Sequence, residues 1–216
     1  MSENTNARTE ILARIRTALP GAPAGRAQSY AATPRLYERQ GKLGEHDCIE
    51  LLIDRLKDYD SEVIELADSS VIAQTVDDVL FRNAETSVLI ASAFPQEWRP
   101  RNTKIVVDEA LSVAALEACP TVLTSCDVAV ASTGTIVLVH ERAQGRRAIT
   151  LVPDHHIVLL RRDQVVELLP EALSRIAAKT TLPITTISGP SATSDIEMTR
   201  IRGVHGPRRL TVILYS

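Results

Sequence analysis

Aromatic residues are scarce in this chain of 216 residues: Phe, Tyr and Trp together make up 3% of it. The core must therefore be built from aliphatic side chains, which dominate a hydrophobic fraction of 44%. No apolar run approaches the roughly 20 residues that a membrane-spanning helix needs. The net charge is −3, without the basic surplus typical of nucleic-acid-binding proteins. We therefore expect a protein that neither spans a membrane nor binds nucleic acid.

Cysteine is also rare, and only Cys48, Cys119 and Cys126 are present. Their spacing contains no CxxC pair, so it predicts neither a zinc site nor an iron–sulfur cluster on this chain. Few cysteines and no signal peptide are typical of the reducing cytoplasm. We expect Cys119 and Cys126, which flank a predicted strand, to be core thiols rather than nucleophiles.

The composition divides the chain into residues 1–35 and an α/β domain over residues 36–216. Residues 7–19 predict an amphipathic helix, because apolar side chains recur at helical spacing. Residues 20–35 are rich in Ala, Pro, Gly and Ser, which predicts a flexible arm. This helix packs either on its own domain or on a neighbouring subunit of a homo-oligomer or another protein. The sequence leaves these alternatives open.

From residue 47 onward, helical patterns alternate with short Val, Ile and Leu runs, which predicts a largely parallel sheet covered on both faces. Four strands between residues 127 and 160 lie too close together for crossover helices, so we expect antiparallel hairpins there. The predicted fold is a three-layer α/β domain with an inserted antiparallel segment. The predicted helices are 47–60, about 70–83, 112–118 and 163–179, and the predicted strands are 62–66, 87–91, 104–108, 126–131, 135–139, 148–152, 156–160, 184–187 and 210–215.

The first candidate site is the turn Ser132-Thr-Gly-Thr135 between two predicted strands. Gly134 permits a positive φ, and the small hydroxyl side chain of Thr133 lets a ligand approach the backbone. Exposed amides at such a turn can bind an anion. The segment matches neither the P-loop nor the GxGxxG pattern. An ordinary hairpin turn explains the same residues equally well.

The second candidate site is Pro153-Asp-His-His156, a turn that brings Asp154, His155 and His156 to its tip. Strand alternation directs the two imidazoles to opposite faces, so only one of them can serve a given site. That imidazole either transfers a proton or binds a substrate oxygen, or else it packs in the sheet on a backbone carbonyl. A metal would require a third ligand from elsewhere. The candidates for that ligand are Asp195, Glu197 and His205.

The third candidate site lies between two Gly-Pro turns, at residues 189–190 and 206–207. Ser191 or Thr193 can cap a helix that begins near residue 194. The free amides at its start, approached through Gly189 and Ser191, would then face an anion.

The same segment carries two acids and a histidine. Asp195 and Glu197 suit the first turn of that helix as structural acids. Alternatively, Glu197 points into a cleft as a nucleophile or general base. His205 stands between glycines on a loop, where we expect it to act as an acid or base or to orient a ligand.

These motifs, taken together, resemble the LUD-domain family and, within it, the lactate-utilization protein C group. The segments that carry the resemblance are residues 126–138, 151–157, 188–197 and 203–207. The combination GPS, DIE and GVHGP is specific, and the resemblance covers nearly the whole chain. It implies a fold similar to the NagB/RpiA/CoA-transferase-like superfamily and a role in the oxidation of L-lactate to pyruvate. It also implies partner proteins that carry the iron–sulfur clusters.

One position departs from the family pattern: Ser132 stands where members often have an acid before the Thr/Ser-Gly pair. Another acid, such as Glu197, would then have to supply that group.

Three hypotheses follow. The chain is a subunit or accessory protein of a lactate-oxidising system and binds a small carboxylate. Alternatively, it is an independent enzyme of the CoA-transferase or ligase type with an adduct on Glu197, or a non-catalytic scaffold that tethers a redox complex. The residues that we expect at the site are Thr133, Gly134, Asp154, His155, Gly189, Ser191, Asp195, Glu197 and His205.

Overall fold

The computed structural model describes residues 3–19, 32–34, 36–141, 143–179, 181–193, 201–202 and 206–216. The chain forms two compact units, residues 1–37 and 38–216. In the first unit, helix α1 (Glu3–Ala18) confirms the predicted helix. None of the helices in the described ranges combines the length and the apolar composition needed to cross a bilayer. The exposed apolar side chains of this helix and the residue after it are Ile11, Leu12, Ile15 and Leu19.

The second unit contains a six-stranded sheet in which every pair of neighbouring strands is parallel. Its helices and strands in chain order are α2 (Glu45–Asp58), β1 (Glu62–Glu65), α3 (Ile72–Arg82), β2 (Ser87–Ala91), β3 (Lys104–Asp108), α4 (Val113–Glu117), β4 (Thr121–Ser125), β5 (Val128–Val130), β6 (Thr135–Val139), β7 (His155–Arg161), β8 (Val165–Val166), α5 (Leu169–Arg175), β9 (Ile184–Ile187), β10 (Ala192–Thr193), β11 (Ile201–Arg202) and β12 (Arg209–Tyr215). The spatial order of the sheet is β1-β12-β7-β4-β2-β3.

Both faces of this sheet are covered, because apolar side chains point alternately to either side of each strand. Helix α3 packs on one face. Helix α2 and a second sheet of order β8-β5-β6-β9 pack on the other, and α5 covers the far side of that second sheet. The antiparallel hairpin β5–β6 is inserted between β4 and β7. The predicted three-layer α/β architecture is thus confirmed.

Helix α2 is amphipathic and carries charges that suit its dipole. Glu45 and Asp47 lie in its first turn, and Arg55 and Lys57 lie in its last. Its apolar face joins the core between the two sheets. The buried residues of that face are Cys48, Ile49, Leu52, Ile53 and Leu56.

The cysteines are core residues, as predicted for Cys119 and Cys126. All three thiols are free and buried. Burial raises the pKa of the Cys126 thiol far above its usual value, and the nearby Asp127 charge adds to the effect. These thiols are therefore protonated, and they are poor nucleophiles.

Two predictions about residues 148–160 were wrong. Residues 148–152 do not form a strand, because Arg147–Thr150 is a short 3₁₀ helix that directs Ile149 into the core against α4. The β-branched residues favoured a strand by propensity alone, and packing overrides that preference. The strand at 156–160 exists, but it belongs to the parallel sheet as β7, between β12 and β4, rather than to a hairpin.

The predicted continuous helix over residues 163–179 is also wrong. Val165 and Val166 form β8, which pairs in parallel with β5. Helix α5 begins only at Leu169, with Pro170 in its first turn. Pro170 cannot lie in a helix interior, since it lacks an N–H and its ring clashes with the preceding turn. A helix containing Pro170 must therefore begin near it.

Candidate functional site

A cavity of about 260 Å³ opens between the two sheets, at the amino ends of β7 and β12. Arg147 and Thr150 of the 3₁₀ segment form one wall. His156 of β7 and Leu210 of β12 face it from the parallel sheet. The remaining lining residues are Leu151, the segment 185–191 at the end of β9, Gly206 and Pro207.

Arg147 brings the positive charge of the cavity. Its guanidinium donates a hydrogen bond to Thr185 Oγ1. Within the described ranges, no carboxylate lies within ion-pair distance of it. A guanidinium presents a fork of N–H donors that matches the two oxygens of a carboxylate or phosphate. This end of the cavity is therefore suited to a small anion.

Thr185 also links the cavity to His140. The distance from His140 Nε2 to Thr185 Oγ1 is 2.6 Å, and that from His140 Nδ1 to the Gly145 carbonyl oxygen is 2.8 Å. Because a carbonyl only accepts, Nδ1 must carry a hydrogen. In the neutral ring, Nε2 then accepts the Thr185 hydroxyl hydrogen.

His156 is buried in the wall of the cavity, with its Nε2 2.8 Å from Thr124 Oγ1. Burial lowers the pKa of His156 to about 3, and the charges of His155 and His140 act in the same direction. At neutral pH this imidazole is therefore uncharged. It can exchange hydrogen bonds with a ligand without adding charge to the cavity.

The turn at Gly134 lies behind the cavity rather than in its lining. Gly134 has φ of 60°, and a Cβ there would be 2.8 Å from Arg55 Cβ on α2. Thr133 Oγ1 lies 2.8 Å from Thr135 Oγ1, which lies 2.8 Å from Ser188 Oγ in the cavity wall. The predicted residues Thr133 and Gly134 thus reach the cavity only through a chain of hydroxyl groups.

Asp154 and His155 do not line the cavity. The Asp154 carboxylate pairs with Arg208. His155 Nδ1 lies 2.9 Å from a Glu85 oxygen, and His155 Nε2 lies 2.9 Å from Thr211 Oγ1. His155 therefore does not face this cavity, because strand alternation directs its ring to the other side of the sheet, and its predicted role stays a prediction.

His155 contacts one acid directly, Glu85, and is linked to a second, Glu62, through the hydroxyl group of Thr211. Thr211 Oγ1 has a single hydrogen, which it donates to Glu62 over 2.9 Å, so the Nε2 of His155 must donate to Thr211. Its Nδ1 donates to Glu85, which also accepts from Arg209. Both ring nitrogens of His155 therefore carry hydrogen.

Glu85 remains ionised within this network. Its burial alone would raise its pKa, but the hydrogen bond from His155 and the charges of His155 and Arg209 outweigh burial. The pKa of Glu85 therefore lies below its usual value.

Gly189 and Ser191 do line the cavity. The Ser191 amide, however, donates to the Pro207 carbonyl over 2.8 Å, so it is not available to an anion as predicted. Thr193 pairs with Ile201 in the β10–β11 ladder, and the helix predicted to begin near residue 194 lies outside the described residues. The remaining candidates, Asp195, Glu197 and His205, lie outside the described residues.

Four residues of this region were missed by sequence reasoning: His140, Arg147, His156 as the cavity-facing imidazole, and Thr185. Alternation showed that only one of the two adjacent histidines could face a given site, but not which one. Arg147 was overlooked because the following residues were predicted as a strand. Among the residues that the structure describes, no cluster of three or more His, Cys, Asp or Glu side chains is arranged to hold a metal ion.

Comparisons with known proteins point to one family. The family model described as LUD domain matches residues 49–215. Lactate utilization protein C of Deinococcus radiodurans is 46% identical over 130 residues, which cover 59% of this chain and 61% of that protein. The protein of the same name from Bacillus subtilis is 34% identical over 100 residues, covering 44% and 41%. The chain therefore matches less than two thirds of the length of these relatives.

A solved structure shares the fold. The crystal structure of a DUF162 family protein from Deinococcus radiodurans superimposes with a TM-score of 0.71 and 34% sequence identity. The match covers 81% of this chain and 100% of that one.

Proposed function

The chain belongs to the LUD domain family, and on that premise we propose that it is a subunit or accessory protein of an L-lactate oxidation system. In this role it binds a small carboxylate, lactate or its product pyruvate, in the cavity beside Arg147. The names of its relatives support the process, since they are lactate utilization proteins.

The observation that carries the proposal is the environment of Arg147. Its guanidinium lines a cavity with several hydroxyl groups, and its hydrogen-bond partner in the described chain is a neutral threonine. A cation that faces a cavity and pairs with no carboxylate of the described residues is well matched by an anionic ligand. The neighbouring hydroxyl group of Ser188 can bind a further ligand oxygen, whereas that of Thr150 already donates its hydrogen to the Arg147 carbonyl over 3.0 Å and can only accept from a ligand hydroxyl group.

The size of the cavity agrees with this class of ligand. At about 260 Å³ it accommodates a three-carbon hydroxy acid together with water. The uncharged His156 in its wall can accept a hydrogen bond from a ligand hydroxyl group or donate one to a carbonyl oxygen. A 2-hydroxy acid and the corresponding 2-oxo acid would therefore both find a partner there.

The electron transfer itself is assigned to partner proteins. The relatives resemble this chain only in part of their length, and the family resemblance implies partners with iron–sulfur clusters. We assign the clusters to those partners as part of this proposal.

The experiment is a measurement of lactate-dependent reduction of an electron acceptor by the purified chain, by its iron–sulfur partners, and by the mixture. The proposal predicts turnover in the mixture and little or none with either component alone. The mixture prepared with Arg147→Ala should lose activity, whereas Arg162→Ala, which removes a surface arginine paired with Glu65, should retain it. Turnover by the chain alone would contradict the proposal and favour an independent enzyme.

A further inference from the structure

His140 lies behind the cavity and joins two of the segments that form its wall. It follows β6 directly, and its Nδ1 donates to the carbonyl of Gly145, two residues before Arg147. Its Nε2 lies 2.6 Å from the hydroxyl group of Thr185, which lines the cavity. Neither the cavity lining nor the motifs of the sequence include His140.

In the neutral state of the ring, every hydrogen of this network is already used. Nδ1–H donates to Gly145, and Nε2 accepts the only hydrogen of the Thr185 hydroxyl group. Thr185 Oγ1 in turn accepts from Arg147. Thr185 consequently has no hydrogen left for a ligand in the cavity.

Protonation of the ring reverses one of these bonds. Nε2–H then donates to Thr185 Oγ1, which accepts from both His140 and Arg147 through its two lone pairs. The hydroxyl hydrogen of Thr185 becomes free to point into the cavity. An anion there gains one donor and a second nearby positive charge, and both stabilise it.

We propose that the cavity binds its anion together with one proton, which is taken from solvent and held on His140 Nε2. His140 is thus a positioning residue whose protonation releases the Thr185 hydroxyl hydrogen for donation to the ligand, and it has no contact with the ligand itself. This inference rests on the proposed function, since it concerns the same cavity. Because binding equilibria are reciprocal, the anion and the proton strengthen each other's binding by the same factor.

The other charged groups near the His140 ring do not take up a proton when an anion binds in the cavity. Glu141 follows it in the chain, and Glu141 and Asp127 both pair with Lys179, at 3.3 and 2.6 Å. His156 faces it from β7 and is neutral. Arg147 stays charged throughout and opposes protonation until an anion arrives. Anion binding beside Arg147 is therefore the event that favours protonation of the imidazole.

The test is a calorimetric titration of the full chain with L-lactate between pH 6 and pH 8, in two cationic buffers of different ionisation enthalpy, imidazole and Tris, which do not compete for an anion site. Carboxyl groups of this kind titrate near pH 4, so lactate stays ionised and any proton taken up goes to the protein. The difference in heat between the buffers counts these protons. We expect uptake approaching one proton per lactate, and affinity that rises by up to about tenfold per pH unit on acidification.

Two variants identify the proton acceptor. His140→Gln keeps a polar group at the same place but cannot titrate, so its proton uptake should vanish. Thr185→Val should bind lactate weakly, and Thr185→Ser, which keeps the hydroxyl group, should retain both binding and uptake. Binding by the unaltered chain without uptake would overturn the inference, as would uptake that persists in His140→Gln.

Failure of the proposed function is distinguishable from failure of this inference. If the unaltered chain does not bind lactate, the proposed function is wrong. The network is then judged by ¹⁵N NMR of the His140 ring in the unliganded protein at pH 8. Hydrogen on Nδ1 alone supports the network, whereas hydrogen on Nε2 alone overturns it.

Discussion

His155 and His156 are adjacent in sequence, yet their imidazoles belong to separate networks on opposite faces of β7. The ring of His155 bonds to Glu85 and Thr211, and that of His156 bonds to Thr124 and faces the cavity. The neighbouring strand β12 shows the same division, since Leu210 lines the cavity and Thr211 bonds to His155. The same two strands therefore hold a buried ionic network on one face and a ligand cavity on the other.

A double-mutant cycle tests this separation. Glu85→Gln removes the charge that holds His155 and Arg209, and we expect a loss of about 3 kcal/mol in the free energy of unfolding, because an unpaired buried charge is costly. Glu85 and His155 should show a coupling energy above about 1 kcal/mol, measured by urea unfolding. The coupling energy between Glu85 and His156, measured in the same way as a control, should be far smaller. Equal coupling in both pairs would mean that the networks are not separate.

The pKa of His156 predicts how stability changes with pH. In the unfolded chain this imidazole takes up a proton near pH 6.5, but in the folded chain only near pH 3, so acid favours unfolding. The stabilisation from neutral His156 is complete above pH 6.5 and falls as the pH decreases toward 3, by at most about 1.4 kcal/mol per pH unit.

The informative window lies between pH 6.5 and pH 4.5, above the range where buried carboxylates such as Asp108 lose their charge. In this window His156→Gln should unfold at a urea midpoint that depends less on pH than that of the unaltered chain. A parallel pH dependence of the two proteins would show that His156 is not the group responsible.

Two turns pack closely against the C-terminal end of helix α2, and each requires a glycine at the point of contact. Gly134 and Gly189 have φ of 60° and 83°, and a Cβ on either would overlap Arg55 or Tyr59, one helical turn apart. Gly134→Ala and Gly189→Ala should each lower the free energy of unfolding by about 2–4 kcal/mol, from left-handed strain and overpacking.

Gly44→Ala is the matched control, because Gly44 has φ of −68° and open space around it. Because Gly44 is the N-cap of α2 and Ala is a poorer cap than Gly, a loss of up to about 1 kcal/mol in the free energy of unfolding is expected, still below that at the other two glycines. Thermal or urea unfolding of the three variants provides the comparison. A loss at Gly44 as large as at Gly134 would rule out packing as the cause.

The sequence predicted the layered α/β fold well, because long apolar strands and amphipathic helices carry strong periodic signals. The secondary-structure prediction failed where tertiary packing or a proline opposed the pattern of apolar and β-branched residues. Ile149 lies in a β-branched run, but tertiary packing makes that run a 3₁₀ turn. Pro170 lies in the first turn of α5, but the apolar pattern on both sides of it led to the prediction of one longer helix.

The site was harder to predict than the fold because its residues come from distant parts of the chain. Arg147, His156 and Thr185 meet only after the second sheet packs on the first. The spacing of these residues along the sequence gives no indication that their side chains are close together. The Gly-Pro turns were recognisable, and Gly189 does line the cavity, but the pairing of the Ser191 amide with Pro207 depends on the register of two loops.

The most direct test of the account is the binding of L-lactate to the purified chain, measured by calorimetry for the unaltered protein, Arg147→Ala and Arg162→Ala. Both variants remove one positive charge, but only Arg147 lines the cavity. We expect the unaltered protein to bind one lactate per chain, with binding weakened by about 10-fold to 100-fold in Arg147→Ala and unchanged in Arg162→Ala, since a hydrogen bond to a charged group contributes about 1.5–3 kcal/mol. Absence of binding to the unaltered chain, or equal binding to Arg147→Ala, would contradict it.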